Sequence, residues 1–585
     1  MPRRETGSGQ GRRGRSRKVR TGALIAAAVG VAAATMVGMS ASAVIAHASC
    51  TNRPTIVNLA VSLDIYPAIQ TVARTFNRED QVAAGHCVDV QVSQGDPSTV
   101  AAQVDGQASL DGSSPINAWI PDSSVWVDVA RSYAGGAQAV QPTSFTVARS
   151  PIVLVTSQAV AAQTGVFNAG ANWSLLLPPG FGGPPASMGL SVDLPDPTDS
   201  AVGLLSVIEI SRLLGQSTAG RQAFTKFKYS TVSTDEFNSA AALASFVQSI
   251  VLRKAIAVSS EQAVVSYDRA NPSHPLAAYY PTSPSKSTGS PELDYPYVVT
   301  SSSPAVSQAA ETFGRFLEGA YAQSVIRYNG FRSGSGVPDD LPSSSGLSSQ
   351  RLDAATPPAP AEVATNLSTW LKLGLGSRVL TIIDDSAAMR APSGLDGLTL
   401  EQVLTQTASR GLPLFPASTE MGLWEAPNGS DPSASYKTLV PVGKLPAAWG
   451  IFSRREEIAQ IDLGVTPNDN PMHLNDAILA AYKLMTSTYA ANYSNAVLVL
   501  TAGIDSGGDM KLDSLLSQLK SLYNPNRKVE IIVIQFGRVG NFTAMQDITN
   551  ATGGSAFQIN NPDQVAQVFI EAIAQRMCDQ GCSAP

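Results

Sequence analysis

Short apolar runs alternate with amphipathic stretches through the first half of the chain. Residues 55–61 (TIVNLAV), 88–92 (VDVQV) and 150–155 (SPIVLV) have the pattern of strands. Residues 67–77 and 305–321 carry apolar side chains at the spacing of an amphipathic helix. Strands that alternate with helices in this way predict an α/β fold with largely parallel strands.

The second half contains continuously apolar runs. Residues 378–383 (RVLTII), 496–501 (AVLVLT) and 529–536 (VEIIVIQF) are typical of strands that helices cover on both faces. This half is therefore predicted to be α/β as well. Between the halves, residues 333–362 are rich in Ser, Gly and Pro and show no helical or alternating period, so they are predicted to be a linker.

The length of the chain requires more than one core. Its 585 residues exceed the size at which single hydrophobic cores stop growing. We expect one domain at residues 49–335 and a second at 363–577, with a linker at 336–362 and a short tail at 578–585.

The N-terminal segment is a predicted targeting sequence. Residues 1–21 are strongly basic, and residues 22–46 form an uncharged stretch long enough to cross a bilayer as a helix. The positive-inside rule places the chain that follows outside the cytoplasm. Residues 46–48 (AHA) fit a cleavage site, yet the apolar run is longer than a usual signal core. A cleaved signal peptide and a retained membrane anchor both remain open.

Four cysteines stand at two distant places in the chain: Cys50, Cys87, Cys578 and Cys582. An even number of cysteines outside the cytoplasm predicts disulfides, and we expect the pairs Cys50–Cys87 and Cys578–Cys582. Lipidation of Cys50 is the weaker alternative, because His47 occupies a position where a lipobox has an aliphatic residue. A zinc site is disfavoured because the four histidines are scattered along the sequence.

Composition and motifs exclude several function classes. The chain is 44% hydrophobic and 15% charged with a net charge of -6, although its first twenty residues are basic. An acidic body argues against nucleic acid as a partner. The sequence has no nucleophile elbow, no phosphate-binding Gly-Lys-Ser/Thr loop and no His-Glu-x-x-His pair. We therefore predict that the protein is not an enzyme and has no cofactor.

The second half resembles a von Willebrand factor type A domain. Asp384-Asp385-Ser386 follows an apolar strand, as in the family motif Asp-x-Ser-x-Ser. Residues 421–424 (MGLW), 475–477 (NDA), 501–503 (TAG) and 552–554 (TGG) then follow in family order. The resemblance implies a Rossmann-like, doubly wound fold.

The metal site of that family is incomplete in this chain. The resemblance implies that Asp384 and Ser386 are vestigial ligands, while Ala388, Met472 and Ala502 stand where the other ligands are expected. Mg²⁺ requires near-octahedral oxygen ligation, so we predict no functional metal. The alternative role for the aspartate is capping of the helix that follows it.

The first half resembles type 2 extracellular solute-binding proteins of the kind found in actinobacteria. The resemblance rests on the spacing of Cys50 and Cys87 and on six motifs: residues 117–124 (NAWIPDSS), 148–151 (ARSP), 195–203 (PDPTDSAVG), 260–262 (SEQ), 294–297 (DYPY) and 330–332 (GFR). It implies a periplasmic-binding-protein-like domain, with two α/β lobes joined by crossing strands and a ligand held in the cleft between them.

Candidate ligand contacts lie in loops that leave a strand and open a helix. Free backbone N–H groups at a helix N-terminus favour an anion or polar solute. The candidates are Ser62, Asp64, Ser93, Ser98, Asp122, Ser123, Thr198 and Ser200, with Trp119 and Trp126 as aromatic walls. The alternative for each serine is a helix cap, and for Asp122 a turn.

These observations predict an extracytoplasmic, non-catalytic binding protein that is anchored in the membrane or secreted. The first domain would bind a small solute, and the second would bind a cell-envelope protein without metal. The alternative is an adhesion or assembly scaffold with no small-molecule ligand.

Overall fold

The computed structural model describes most of the chain beyond the N-terminal segment. The described residues are 53–104, 115–133, 136–168, 170–234, 240–250, 253–282, 289–339, 341, 346–395, 397–464, 466–508 and 510–577. The predicted targeting segments (1–21 and 22–46), the tail (578–585) and Cys50, Cys578 and Cys582 lie outside these ranges. Within them, no helix has the length and apolar character needed to span a membrane. Cys87 is disulfide-bonded; both pairings remain predictions.

The first domain contains thirteen strands and eleven α-helices among the described residues. The strands are β1 (Thr55–Val61), β2 (Val82–Ala83), β3 (His86–Gln94), β4 (Ala118–Ile120), β5 (Gln141–Thr146), β6 (Ala148–Ser157), β7 (Leu190–Pro195), β8 (Thr231–Thr234), β9 (Lys254–Ser260), β10 (Leu276–Tyr279), β11 (Glu292–Leu293), β12 (Pro296–Val299) and β13 (Arg332–Ser333). The helices are α1 (Tyr66–Arg78), α2 (Pro97–Gln103), α3 (Ser124–Ser132), α4 (Gly136–Ala139), α5 (Gln158–Thr164), α6 (Ala201–Leu214), α7 (Thr218–Ser230), α8 (Ala240–Ser249), α9 (Glu261–Ala270), α10 (Pro304–Glu318) and α11 (Ala320–Tyr328).

These elements form two lobes, each built on its own sheet. The first sheet has the order β2-β3-β1-β4-β12-β5, and the second has the path β10-β6-β9-β7-β8. The chain crosses from the first lobe to the second between β5 and β6, and it returns between β11 and β12. The expected two-lobed architecture is confirmed.

The sheets are mixed rather than largely parallel, so this part of the prediction was wrong. β1 pairs in parallel with β3 and β4, but β12 pairs antiparallel with β4 and β5. In the second lobe β6 runs antiparallel to both β9 and β10. Apart from the short β2–β3 pair, the antiparallel pairs involve β5, β6 and β12, the strands that carry the chain between lobes. Local apolar patterns do not reveal such crossings.

The second domain follows a doubly wound plan. Its strands are β14 (Gly376–Asp384), β15 (Glu420–Ala426), β16 (Lys437–Lys444), β17 (Ala448–Trp449), β18 (Phe452–Ser453), β19 (Tyr493–Thr501), β20 (Val529–Phe536) and β21 (Ser555–Ile559). Its helices are α12 (Pro360–Gly374), α13 (Leu400–Gly411), α14 (Arg454–Gly464), α15 (Leu474–Ser487), α16 (Leu512–Leu522), α17 (Phe542–Asn550) and α18 (Val565–Ala574).

The main sheet of the second domain has the order β16-β15-β14-β19-β20-β21, and only β16 is antiparallel in it. Numbered along the chain, this is the Rossmann-type order 3-2-1-4-5-6. Apolar residues on both faces of the sheet belong to separate core clusters, because helices cover each side. The predicted fold class is therefore confirmed.

The predicted linker is partly built into the structure. Ala355 N–H donates to Ser290 O (3.0 Å), and the Arg332 guanidinium donates to Ser348 O (2.7 Å) and Gln350 O (2.6 Å). Arg332 is itself paired with Glu261 at 2.8 Å, and both side chains are buried. This stretch has no apolar period because its backbone, rather than its side chains, makes the contacts.

Helix α12 joins the two domains. It packs against α3 of the first lobe and against α6 and α7 of the second. Glu362 accepts two hydrogen bonds of 2.7 Å from Arg212, and Lys228 Nζ lies 3.6 Å from the centroid of the Trp370 ring. Burial lowers the pKa of this lysine to about 8. The interface therefore combines an ion pair, a cation–π contact and apolar packing.

Candidate functional site

The cleft between the lobes holds an aspartate at the start of helix α6. Asp122 follows β4, and its carboxyl group accepts a hydrogen bond from the backbone N–H of Ala201, the first residue of α6. Its Oδ1 has no hydrogen-bond partner among the described residues. Burial, followed by the charges of Asp64 and Asp96, raises the pKa of Asp122 well above its usual value. An internal acid thus occupies the helix N-terminus at which we expected a solute.

A second acid of the cleft is tied to the crossing between the lobes. Tyr295 Oη donates a hydrogen bond to Asp64 Oδ2, and Ile65 N–H donates to Asp64 Oδ1 (2.9 Å). Burial raises the pKa of Asp64 to about 6, although both hydrogen bonds oppose the shift. Neither Asp64 nor Asp122 forms an ion pair with a described residue.

Tyr295 has an unusual backbone for its residue type. Its φ is 33°, in the left-handed region that a bulky side chain seldom adopts. It lies between β11 and β12, where the chain returns to the first lobe, and its N–H donates to Asp122 O (3.2 Å). Strain of this kind is worth about 1–3 kcal/mol and persists only where neighbouring contacts fix it. The tyrosine therefore links the inter-lobe crossing to both cleft acids.

The predicted serines and threonine mostly bond to their own chain. Ser123 and Ser200 are the N-caps of α3 and α6, and they accept from Val125 N–H and Gly203 N–H at 3.4 Å each. Ser62 Oγ donates to Ile120 O (3.3 Å), Ser93 Oγ to Leu59 O (3.5 Å) and Thr198 Oγ1 to Asp196 Oδ1 (2.7 Å). Ser123 and Ser200 are thus helix caps and Thr198 lies in a turn, whereas Ser62 and Ser93 bond to carbonyl groups of neighbouring strands.

One predicted serine bridges the lobes. Ser98 Oγ lies 2.6 Å from Asp96 Oδ1 on its own helix and 3.4 Å from Asp199 Oδ1 of the second lobe. The structure thus brings Asp64, Ser98 and Asp122 to the region where the lobes meet. Sequence reasoning missed Asp96, Asp199 and Tyr295. The 294–297 motif contained the tyrosine, but nothing in it marked the positive φ.

The two tryptophans do not wall the cleft, so that expectation was wrong. Trp119 and Trp126 are buried in the apolar core of the first domain. Trp119 lies in β4 and Trp126 in α3, and both side chains pack with residues from several elements. Their position beside Asp122 in sequence does not place their rings in the cleft.

In the second domain, Asp384 ends strand β14 and is fully engaged. Its Oδ2 accepts from Thr501 Oγ1 (2.6 Å) and from Ala502 N–H (2.9 Å), and its Oδ1 accepts from Ser386 N–H (3.0 Å). The first two donors come from the end of the neighbouring strand β19. The aspartate therefore joins two strand ends, and it also holds the backbone that enters the next 3₁₀ turn.

The acids around Asp384 are less fully engaged, and Asp385 Oδ1 is buried without a hydrogen-bond partner among the described residues. Asp385 Oδ2 accepts from Asn468 Nδ2 (2.9 Å), and burial, then the charge of Glu425, raises the pKa of Asp385 to about 7. Asp505 accepts from Leu474 N–H (3.2 Å) and Asn475 Nδ2 (2.6 Å) at the start of α15. One oxygen of Asp385 and both oxygens of Asp505 thus accept hydrogen bonds from protein donors.

The residues at this edge do not fit a divalent cation. Ala388, Met472 and Ala502 have no side-chain oxygen, and the carboxylate of Asp384 already accepts three hydrogen bonds. The remaining hydroxyl, Ser386 Oγ, is buried and has no hydrogen-bond partner among the described residues. Asp385 Oδ1 and Asp476 Oδ2 are also buried without a hydrogen-bond partner among the described residues. These oxygens do not form the near-octahedral set that Mg²⁺ requires. Within the described ranges, no cluster of three or more metal-ligating side chains occurs.

Comparison with known proteins places the first domain in a class. Residues 57–332 match the model of a family described as bacterial extracellular solute-binding protein. This match confirms the predicted solute-binding-type domain within those residues. No curated protein matches the chain.

Solved structures resemble each half of the chain. The sulfate-binding protein SubI from Mycobacterium tuberculosis H37Rv is 20% identical, covers 48% of this chain and 87% of its own, and has a TM-score of 0.32. Iron-bound HitA from Pseudomonas aeruginosa is 15% identical, covers 55% and 100%, and has a TM-score of 0.39. A von Willebrand factor type A structure from Catenulispora acidiphila is 17% identical, covers 34% and 43%, and has a TM-score of 0.27.

Proposed function

We propose that this protein is a non-catalytic receptor outside the cytoplasm, whose first domain binds a small, positively charged solute between its lobes. The single observation that carries the proposal is the pair of acids at the meeting of the lobes, the partly buried Asp64 and the buried Asp122, with no cationic partner among the described residues. The N-terminal segment would deliver the domain across the membrane and either anchor it there or be removed.

The charge of the cleft favours a cation over an anion. The charge of Asp64 raises the pKa of Asp122, and a bound ammonium or guanidinium group would relieve that repulsion. Asp122 already accepts the free N–H at the start of α6, so an oxyanion would have to displace it. A solute that carries an amine and further hydrogen-bonding groups therefore suits the site better than the anion that the helix termini alone suggested.

For the second domain we propose recognition of a cell-envelope protein without a metal ion. The support is the hydrogen bonding of Asp384, which leaves its oxygens engaged with strand β19. A partner would then be recognised by surface shape and hydrogen bonds at the exposed loops of this domain.

A second candidate function is an adhesion or assembly scaffold with no small ligand. One observation favours it: protein groups already bridge the cleft. Ser98 reaches Asp199 across the lobes, and Asp122 accepts from Ala201. If these contacts represent the functional state, both domains serve as interaction surfaces.

Thermal-shift titration of the full chain distinguishes these functions. The probes are spermidine, putrescine and arginine as cations, and sulfate, phosphate and molybdate as anions. A solute at 100 times its Kd stabilises the folded protein by about 2.7 kcal/mol. We expect a cation to raise the melting temperature of the protein and Asp122→Asn to reduce the shift. Stabilisation by an oxyanion would contradict the cation assignment, and no shift with any probe would favour the scaffold.

Calorimetric titration with Mg²⁺ and Mn²⁺ tests the second domain. We expect no binding heat at micromolar metal, and the same result for Ser386→Ala. Micromolar affinity that is lost in Ser386→Ala would contradict metal-independent recognition.

A further inference from the structure

The second domain contains a cavity of about 120 Å³ between its main sheet and helices α13 and α18. Thr381 of β14, Leu498 of β19 and Ile532 of β20 contribute to the sheet side, while Phe569 and Ala572 of α18 contribute to the helix side. For comparison, an engineered apolar cavity of about 150 Å³ stays dry and binds benzene. This space is therefore large enough for an apolar group.

The cavity exists because small side chains stand where the helices cross the sheet. Ala496 on β19, together with Ala408 and Gly411 on α13, lines the wall. Leu498 and Ile532 lie in the middle of two central strands, yet both remain partly exposed rather than buried. Central-strand residues covered by helices are normally packed tightly. The gap thus communicates with solvent.

One end of the cavity carries an arginine that has no acidic partner in an ion pair among the described residues. Arg576 donates to Leu375 O (3.1 Å) and to Ser377 Oγ (2.8 Å), both neutral acceptors. Glu530 also lines the cavity and its charge acts on Arg576, but its carboxylate is paired with Lys528 at 2.6 Å. Burial lowers the pKa of Arg576. The guanidinium of Arg576 is partly buried and the nearby carboxylate is already paired with a lysine, so a bound anion would stabilise the guanidinium.

A second polar group faces the space without a partner. Thr381 is 4% exposed, lines the cavity, and its Oγ1 makes no hydrogen bond with any described residue. A buried water needs two to four polar partners, which a single hydroxyl in an apolar wall does not supply. The hydroxyl therefore lies on the sheet wall of the cavity without a partner among the described residues.

We propose that this cavity is a binding site for a single-chain anionic amphiphile. The anionic head group pairs with Arg576, and the apolar chain lies along the sheet beneath α13 and α18. Charge complementarity at the arginine selects this occupant over a neutral apolar molecule or a cationic one.

Titration of the full chain by calorimetry tests the site with probes that share a ten-carbon tail. Decanoate and decyl phosphate carry an anionic head, and decyltrimethylammonium carries a cationic one. We expect either anion or both to bind, and the cation to bind at least tenfold more weakly, since a charged hydrogen bond is worth about a factor of ten or more. Binding by decanoate alone would assign a carboxylate head, and binding by decyl phosphate alone a phosphate head.

Two variants locate the binding. Arg576→Gln should weaken the anion by about tenfold or more, whereas Arg538→Gln, at an exposed arginine of the same domain, should not change it. Ala572→Phe should fill the cavity and abolish binding. Because Arg576→Gln could disturb folding, the comparison of the two head groups on the unaltered chain stands as an independent measurement. Cation binding as tight as anion binding that Ala572→Phe abolishes, or no binding by either anion, would overturn the proposal.

Discussion

The inter-lobe cleft and the Asp384 edge of the second domain both place an acid where parallel strands end and a following segment begins. The two acids differ in how many of their carboxyl oxygens have hydrogen-bond partners. Asp384 accepts three hydrogen bonds, two of them from the end of β19. Asp122 has one oxygen without a partner among the described residues, and its neighbour Asp64 adds like charge. Hydrogen bonding by protein groups therefore accounts for Asp384 as a structural residue, whereas the cleft acids lack full compensation.

This difference shows how an acid's function can be judged from its partners. A carboxylate whose oxygens all accept hydrogen bonds from the protein stabilises the folded protein without a ligand. A buried carboxyl group without a cation costs free energy that a ligand can recover. The following four predictions test the distinction, beginning with the largest effect.

Asp384→Ala should have the largest effect on stability. The substitution leaves Thr501 Oγ1 and the N–H groups of Ser386 and Ala502 without their acceptor. We expect a loss of about 3–5 kcal/mol, because unsatisfied buried donors carry the full desolvation cost. Hydrogen exchange at strands β14 and β19 measures it. Asp385→Asn is the control, and a loss below about 1 kcal/mol in Asp384→Ala would contradict the structural role.

Asp64→Asn should change how stability depends on pH. The pKa of Asp64 is about 6 in the folded protein and near 3.8 when unperturbed. A raised folded pKa gives stability that is complete below pH 4 and is lost as pH rises through 6. The wild type should therefore lose roughly 3 kcal/mol relative to the variant between pH 4 and pH 8.

Urea unfolding across that range, followed by tryptophan fluorescence, measures the difference in stability between the two proteins. The control is Asp89→Asn, at a carboxyl group on strand β3. Parallel stability curves for wild type and Asp64→Asn would contradict the buried-acid description of the cleft.

The ion pair between Arg212 and Glu362 should couple the two domains modestly. Both side chains keep partial exposure, at 21% and 29%, so solvent screens the attraction. A double-mutant cycle with Arg212→Ala and Glu362→Ala should give a coupling free energy of about 1 kcal/mol, helped by the bidentate geometry. Additive losses from the two single variants would show that the pair does not contribute to the interface.

Ser200→Ala should have the smallest effect. The hydrogen bond from Gly203 N–H is long at 3.4 Å, so loss of this N-cap should cost about 0.5 kcal/mol, at the low end for caps. Thermal unfolding measures this, with Ser200→Thr as the conservative control. Loss of solute binding in Ser200→Ala at unchanged stability would instead assign the hydroxyl to the ligand.

Much of the fold followed from local patterns. The run at 55–61 coincides with β1, and the run at 529–536 coincides with β20, a strand whose mostly apolar residues are buried on both faces. The helix predicted at 305–321 is divided at Gly319 into α10 and α11, since a glycine that ends one helix can also begin the next.

The site was less accessible to sequence reasoning. Asp64, Ser98 and Asp122 were chosen because they follow strands, and the structure brings them near the meeting of the lobes. The proximity of Asp96 to Asp122 and the contact of Ser98 with Asp199 depend on long-range folding. Tyr295 has a left-handed backbone and contacts both Asp122 and Asp64. No pattern of residues in the sequence predicts that conformation.

Helix α12 contacts α3 on one lobe and α6 and α7 on the other, so any separation of the lobes must shear its apolar face. Contacts with the second domain therefore contribute to the free energy needed to separate the lobes. A trapped solute would escape more slowly from the intact chain than from a first domain without α12, and a partner that pulls on the second domain would hasten its release.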